Sequence, residues 1–160
     1  INIAVAPTKN NDRIEWFIEK STEIGINTIS TVLCEKSERK KIKMDRLEKI
    51  TISAMKQSLQ LHKPIIQELV SFEEFIKNCK SEDKFIAHCK ESKKLFLNNC
   101  RLKAKTITVL IGPEGGFSEN EIELAEKHGF ISVSLGNNRL RTETAAIAAT
   151  QILSKYNADI

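Results

Sequence analysis

Two short stretches combine glycines, polar side chains and a helix start in a way that can hold a ligand. Ile111-Gly112-Pro113-Glu114-Gly115-Gly116-Phe117 follows the apolar run Ile107-Thr108-Val109-Leu110. Leu135-Gly136-Asn137-Asn138-Arg139-Leu140-Arg141-Thr142-Glu143-Thr144-Ala145 follows Ile131-Ser132-Val133-Ser134. Each reads as a strand, a turn rich in Gly or Asn, and the entry to a helix. In an open α/β sheet, ligands bind outside the carboxyl ends of the strands at such turns. Two of them in one short span point to one pocket built from two loops.

The glycines leave backbone amides open to close approach, and phosphate is the first ligand to consider. The spacing argues against it. Neither G-x-x-x-x-G-K-[ST] nor G-x-G-x-x-G is present, no lysine follows the glycines, and Glu114 repels a phosphate. A ligand with an adenine to hydrogen-bond, no phosphate and a positive charge suits the loops better. S-adenosyl-L-methionine has all three properties. Methyl transfer from its sulfonium needs no metal, only an in-line nucleophile about 3–3.5 Å from the methyl carbon.

The loops must be positioned by neighbouring elements. Ser118 reads as a helix N-cap, with Glu121 completing a capping box and Phe117 and Ile122 forming a hydrophobic staple. Gly129 closes that helix after His128. Upstream, residues 1–6 read as a buried strand stopped by Pro7. Asn10 to Asp12 cap a helix with Ile14, Phe17, Ile18, Ser21 and Ile24 on one stripe, ended by Gly25. Trp16 lies off the stripe and is expected to meet a partner or another domain. Residues 28–33 form a β-branched strand. The charged loop 35–43 follows, and its Arg39, Lys40 and Lys41 suit either solvent or a phosphate backbone. Residues 44–61 read as a helix whose face carries Leu47, Ile50, Ala54, Ser58 and Leu61.

Further along, residues 64–69 read as a short strand and 71–79 as a helix capped by Ser71. A buried strand spans 84–89, and the turn 88–92 is expected to form a third wall of the pocket. His88 titrates near neutrality and could act as a base, though a lone histidine ending a strand is more often structural. Residues 93–105 read as a loop or irregular helix with Leu95, Phe96 and Leu97 tucked in. The last helix spans 142–156, and its apolar 145–149 segment is expected to be buried. Alternating strands and helices give an α/β fold, a mostly parallel sheet with helices on both faces.

Composition sets bounds. The 160 residues make one domain, with 25 basic and 21 acidic side chains and a net charge of +4. That mild charge permits an RNA partner without demanding one. No apolar run approaches the length of a membrane span, and no secretory leader is expected. Cys34, Cys79, Cys89 and Cys100 show neither C-x-x-C nor zinc-ligand spacing. They are expected to be reduced, in a cytoplasmic protein without a metal.

The two glycine motifs together resemble the RsmE-type methyltransferases of the SPOUT superfamily. Lys9, Asp12-Arg13, Glu15, Lys20 and Thr22 to Ile26 resemble that family's first helix, and Gln57-Ser58 with Pro64 its second block. The family usually continues Gln-Ser with Gly-Arg, whereas Leu59-Gln60 stand here, which removes one candidate phosphate contact. The resemblance implies a C-terminal trefoil knot and a homodimer. It also implies methylation of uridine N3 in 16S ribosomal RNA. A PUA-like RNA-binding domain is expected to precede residue 1.

It carries a cofactor site of Ala87, His88, Ile111, Gly112, Pro113, Glu114, Gly115, Gly116, Leu135, Gly136, Leu140, Arg141, Thr142 and Ala145. Arg141 is expected to stabilise the developing uridine oxyanion. Gln57 and Ser58 stand either by the reacting base or as satisfied buried polar groups. Glu114 and Glu143 are the carboxylates nearest the site; Glu114 is a candidate catalytic group, and Glu143 reads rather as helix-entry charge compensation or loop hydrogen bonding. Arg39, Lys40, Lys41 and Arg139 are the expected RNA contacts. A ribose 2′-O-methyltransferase, a nucleotide-binding module and a non-catalytic RNA-binding domain remain as alternatives.

Overall fold

The computed structural model describes residues 1–90, 94–102 and 105–156. Strand β1 (Asn2–Val5) leads into α1 (Asn11–Ile24), whose N-cap Asn10 accepts the Asp12 amide. Gly25 ends α1 in the left-handed region at φ 99°, where its amide caps Ser21 and Thr22. After β2 (Thr28–Leu33) the basic loop runs to α2 (Met44–Ser58), then β3 (Ile65–Ser71), α3 (Phe72–Asn78) and β4 (Asp83–Ala87). A two-residue strand β5 (Leu95–Phe96) and one 3₁₀ turn precede β6 (Ile107–Ile111), α4 (Glu119–Lys127), β7 (Ile131–Ser134) and α5 (Thr142–Ser154).

The seven strands form one sheet in the order β3-β2-β1-β6-β4-β7-β5. All its pairings are parallel. Side-chain alternation divides the core between the two faces. Ile3, Val5, Ile29, Val109 and Ile111 pack with Phe17, Ile18, Ala146, Ala149 and Leu153 of α1 and α5. Ala4, Ala6, Val32, Ile86 and Leu110 pack with Phe72, Phe75, Phe117, Ile122 and Ala125 on the other face. Central strands buried on both faces read as continuous apolar runs, as β6 does.

Several boundaries differ from the sequence reading, each for a local reason. Helix α2 stops at Ser58 because Leu59 takes a left-handed φ of 56°. Leu61 therefore lies beyond it, 89% exposed, while Thr51 takes a buried place on the helix. Strand β4 ends at Ala87, so His88 and Cys89 belong to the pocket loop. Of Leu95, Phe96 and Leu97 only Leu97 is buried, since β5 is an edge strand on β7. Within 145–149 only Ala146 and Ala149 are fully covered. Residues 91–92 of the expected third wall, and 93 and 103–104 of the loop after it, lie outside the described residues. All four cysteines are free. Among the described residues no helix is long and apolar enough to cross a membrane.

Candidate functional site

The carboxyl ends of β4, β6 and β7 lie side by side, and the loops leaving them enclose a cavity of about 770 Å³. Ala87 is the last residue of β4, and His88 begins the loop after it. Ile111, Gly112, Pro113, Glu114, Gly115 and Gly116 come from the first glycine loop, and Leu135, Gly136, Arg139, Leu140, Arg141, Thr142 and Ala145 from the second. All fourteen residues singled out for the cofactor thus line one space. Cys89, Lys90, Lys94, Phe117, Ser134, Asn137 and Asn138 complete it.

The first loop is held from several sides. Its turn closes with Gly116 N–H donating to Pro113 O at 2.8 Å, with Gly116 at φ 69°. The capping box is complete: Glu121 N–H donates to Ser118 Oγ, and Ser118 N–H to Glu121 Oε2. The other carboxylate oxygen, Glu121 Oε1, accepts Glu35 N–H at 2.8 Å. One buried glutamate therefore joins the helix entry to the loop after β2. Glu114 Oε1 accepts Lys9 N–H at 3.0 Å and ties the glycine loop to the loop after β1. The geometry makes Glu114 a strut at the rim of the cavity.

The two glycine loops are joined directly, because Thr142 Oγ donates to Gly112 O at 3.0 Å. The glycines are not equivalent. A Cβ on Gly112 would stand 3.1 Å from the Phe117 ring, whereas one on Gly136 would meet nothing within 4 Å. Gly112 is thus constrained by the packing of its own neighbour, and Gly136 by its backbone, which stands at φ 156° beside open space. Sequence reasoning treated the two alike.

Among the described residues four cations line the cavity: Lys90, Lys94, Arg139 and Arg141. No lysine follows the glycines in sequence, but Lys90 and Lys94 reach the cavity from the segment after β4. Lys90 pairs with Glu119 at 3.3 Å. His88 Nε2 lies 2.9 Å from Ser132 Oγ, and its Nδ1 faces Lys94 Nζ at 3.4 Å. Burial first, and then Lys94, push the imidazole down from 6.5 to about 4. It is neutral at physiological pH with both nitrogens engaged, so it does not act as a general base. Lys94 was missed because it follows the turn expected to form the wall, and only the strand register brings it back.

Other predicted residues lie elsewhere. Arg39 donates to the carbonyls of Thr8 and Lys9 and fastens the basic loop to the start of α1. Lys40 and Lys41 are exposed on that loop and do not line the cavity. Gln57 is exposed and Ser58 half-buried, its hydroxyl donating to Ala54 O within α2. Both stand at the C-terminal end of α2, which runs beside α1. Arg46 at its start pairs with Glu15, and Gln60 past its end bonds Glu23 O. That places Gln57 and Ser58 at the opposite end of the sheet from the cavity, so one chain does not bring them together with it. Glu143 is buried against Arg13, with Oε1 3.7 Å from Nε. Among the described residues Glu143 Oε2 has no hydrogen-bond partner.

Comparison with known proteins agrees with this geometry. A ribosomal RNA small subunit methyltransferase E from Rickettsia conorii is 34% identical over 93% of this chain and 62% of its own length. The chain thus spans a little under two thirds of such relatives. A crystal structure of a probable rRNA-methyltransferase from Porphyromonas gingivalis superposes with a TM-score of 0.91 and 41% identity. The match covers 99% of this chain and 68% of that one. The ribosomal RNA small subunit methyltransferase E from Neisseria gonorrhoeae, solved bound to S-adenosyl methionine, superposes with a TM-score of 0.84 at 30% identity. It matches 97% of this chain and 65% of that one. A family model described as an RNA methyltransferase domain matches residues 1–154. With its glycine loops, its parallel sheet and that match, the chain belongs to the RNA methyltransferase domain family.

Proposed function

We propose that this domain binds S-adenosyl-L-methionine in the cavity after β4, β6 and β7. In this reading it transfers the methyl group to N3 of a uridine in small-subunit ribosomal RNA, as a SPOUT-type enzyme with the C-terminal knot of that superfamily. The observation that carries the reading is the single cavity built by both glycine loops, joined by Thr142 to Gly112. The Neisseria gonorrhoeae relative is solved with that cofactor.

In this reading the backbone of Gly112 to Gly116 and of Leu135 to Leu140 holds the cofactor, with Ala87, Thr142 and Ala145 closing around it. Arg141, exposed at the α5 entrance, stabilises charge that develops on the uracil oxygens as N3 loses its proton. The target base must be unpaired or extruded, because N3 normally faces a pairing partner. Lys40, Lys41 and Arg139 are the phosphate contacts on the RNA side. Gln57 and Ser58 meet the base only if a second copy brings its α2 end to the cavity. The homodimer is therefore part of the proposal, as is the cytoplasm as its place.

The test has two readouts. Calorimetry on the full-length protein should detect S-adenosylmethionine binding in competition with S-adenosylhomocysteine and not with ATP. Nucleoside mass spectrometry of ribosomal RNA from cells with and without the gene should show N3-methyluridine lost with it. Binding of ATP in preference, or unchanged N3-methyluridine, would reject the assignment.

A further inference from the structure

Beside the cavity, four side chains form a hydrogen-bonded series whose direction can be read from one end to the other. Ser132 Oγ donates to Glu126 Oε1 at 2.6 Å. A hydroxyl has one hydrogen to give, so Ser132 Oγ accepts from His88 Nε2, 2.9 Å away. His88 is therefore the Nε2-protonated tautomer, and its Nδ1 carries a lone pair. That lone pair faces Lys94 Nζ at 3.4 Å, and the same amine donates to the carbonyl of Lys90. Burial lowers the Lys94 pKa below the ordinary lysine range, with Cys89 acting in the opposite sense.

A free primary amine has two N–H donors and one lone pair. Among the described residues Lys94 Nζ has two acceptors, His88 Nδ1 and Lys90 O. In the free-amine form both hydrogens are thus used, and the remaining tetrahedral position holds the lone pair. Lys94 lines the same cavity as Gly112, Gly136 and Arg141.

We propose that Lys94 is the proton acceptor of the methyl transfer, an assignment that rests on the reading given under Proposed function. As the uracil N3–H bond breaks, its proton goes to Lys94 Nζ, which becomes an ammonium. The N3–CH₃ bond forms while the S–CH₃ bond breaks, and the bonding pair stays on sulfur to give a neutral thioether. The positive charge of the sulfonium is thereby passed to Lys94, which releases its proton to solvent. No other reactant is required.

Among the described residues, the other groups around the cavity do not fit this role. His88 has both nitrogens committed and takes up a proton only at about pH 4. Glu126 reaches the cavity only through Ser132 and His88. Lys90 is held by Glu119. The guanidinium groups of Arg139 and Arg141 do not lose a proton in proteins. Glu114 accepts the Lys9 amide, and a carboxylate is a far weaker base than a uracil anion. The Cys89 thiol is exposed to solvent. A general base works best when its pKa lies near the operating pH, which favours a lysine with a lowered value.

The experiment is single-turnover methylation of unmodified small subunits by the full-length protein, with Lys94→Ala and Lys94→Arg as variants. Both are expected to bind S-adenosylmethionine within about threefold of wild type and to transfer the methyl group about 100-fold or more slowly at neutral pH. Small primary amines should restore part of the Lys94→Ala rate in proportion to their free-base concentration. Lys94→Arg should stay slow, because its guanidinium keeps its proton. A Lys94→Arg rate near wild type would overturn the proposal. So would an amine-insensitive Lys94→Ala, or loss of cofactor binding in both variants. Wild-type protein that neither binds the cofactor nor methylates N3 would instead remove the reading on which the proposal stands.

Discussion

Thr142 Oγ donates to the carbonyl of Gly112 at 3.0 Å across thirty residues of chain, and both residues are buried. This bond locks one glycine loop to the entrance of α5. Thr142→Val keeps the shape and leaves a buried carbonyl without its donor, which costs about 1–3 kcal/mol. Urea denaturation should show that loss. Calorimetry on the same variant should show weaker S-adenosylmethionine binding, because the two walls are no longer tied.

The two glycines should respond to substitution for different reasons. Gly136→Val meets no atom within 4 Å but has to hold a β-branched side chain at φ 156°, so it is expected to abolish cofactor binding, with its cost to stability set by backbone strain. Gly112→Ala should lower stability, because its new Cβ meets the Phe117 ring at 3.1 Å. Overpacking of this kind costs about 1–3 kcal/mol. An unchanged unfolding midpoint in either variant would contradict the geometry.

His88 makes stability fall on mild acidification. Its pKa is lowered to about 4 by burial and by Lys94, against an ordinary 6.5. Between those two values the unfolded chain takes up a proton that the folded protein does not, so folding weakens as the pH drops through that window. The loss levels off below about pH 4. His88→Gln should flatten this part of the profile, measured as the denaturation midpoint at several pH values relative to wild type.

Arg39 and its lysine neighbours should behave differently. Arg39 is bonded to two backbone carbonyls, so Arg39→Met is expected to destabilise the fold by about 1–3 kcal/mol. Its RNA binding should keep the salt dependence of wild type. Lys40→Gln and Lys41→Gln should leave stability unchanged and each reduce the salt slope of RNA binding by about one unit. Filter binding across a salt series measures both.

Self-association should run through the outer face of the α1 and α5 layer. Trp16 is 46% exposed there, and Ala145, Ile147, Ala148 and Ile152 are only partly covered. Sedimentation is expected to give a dimer at micromolar concentration, and Trp16→Glu to weaken it by about tenfold or more. A monomeric wild type would exclude a site completed by a second copy.

What the sequence determined by itself was local or periodic. Asn10, Ser71 and Ser118 mark their helix starts because a capping side chain acts within three residues. The largely apolar run of β6, broken only by Thr108, announces a strand buried on both faces, and the two glycine motifs announce one pocket built from two loops. Helix α2 could not be ended from its pattern, since the apolar spacing continues to Leu61 while the backbone turns left-handed at Leu59.

Only the tertiary structure decided which polar groups meet. Arg39 looks like a free surface cation until the loop after β1 offers it two carbonyls. Gln57 and Ser58 look like pocket residues until α2 is seen to run away from the cavity. Glu121 is a capping residue in sequence and, in space, also the acceptor for Glu35, 86 positions away. Lys94 carries no motif at all. Its place depends on β5 pairing with β7 and on the hydrogen already spent by Ser132. Such contacts depend on where distant segments are brought by packing, and hydrophobic periodicity specifies which face is buried without specifying which polar atoms then face one another.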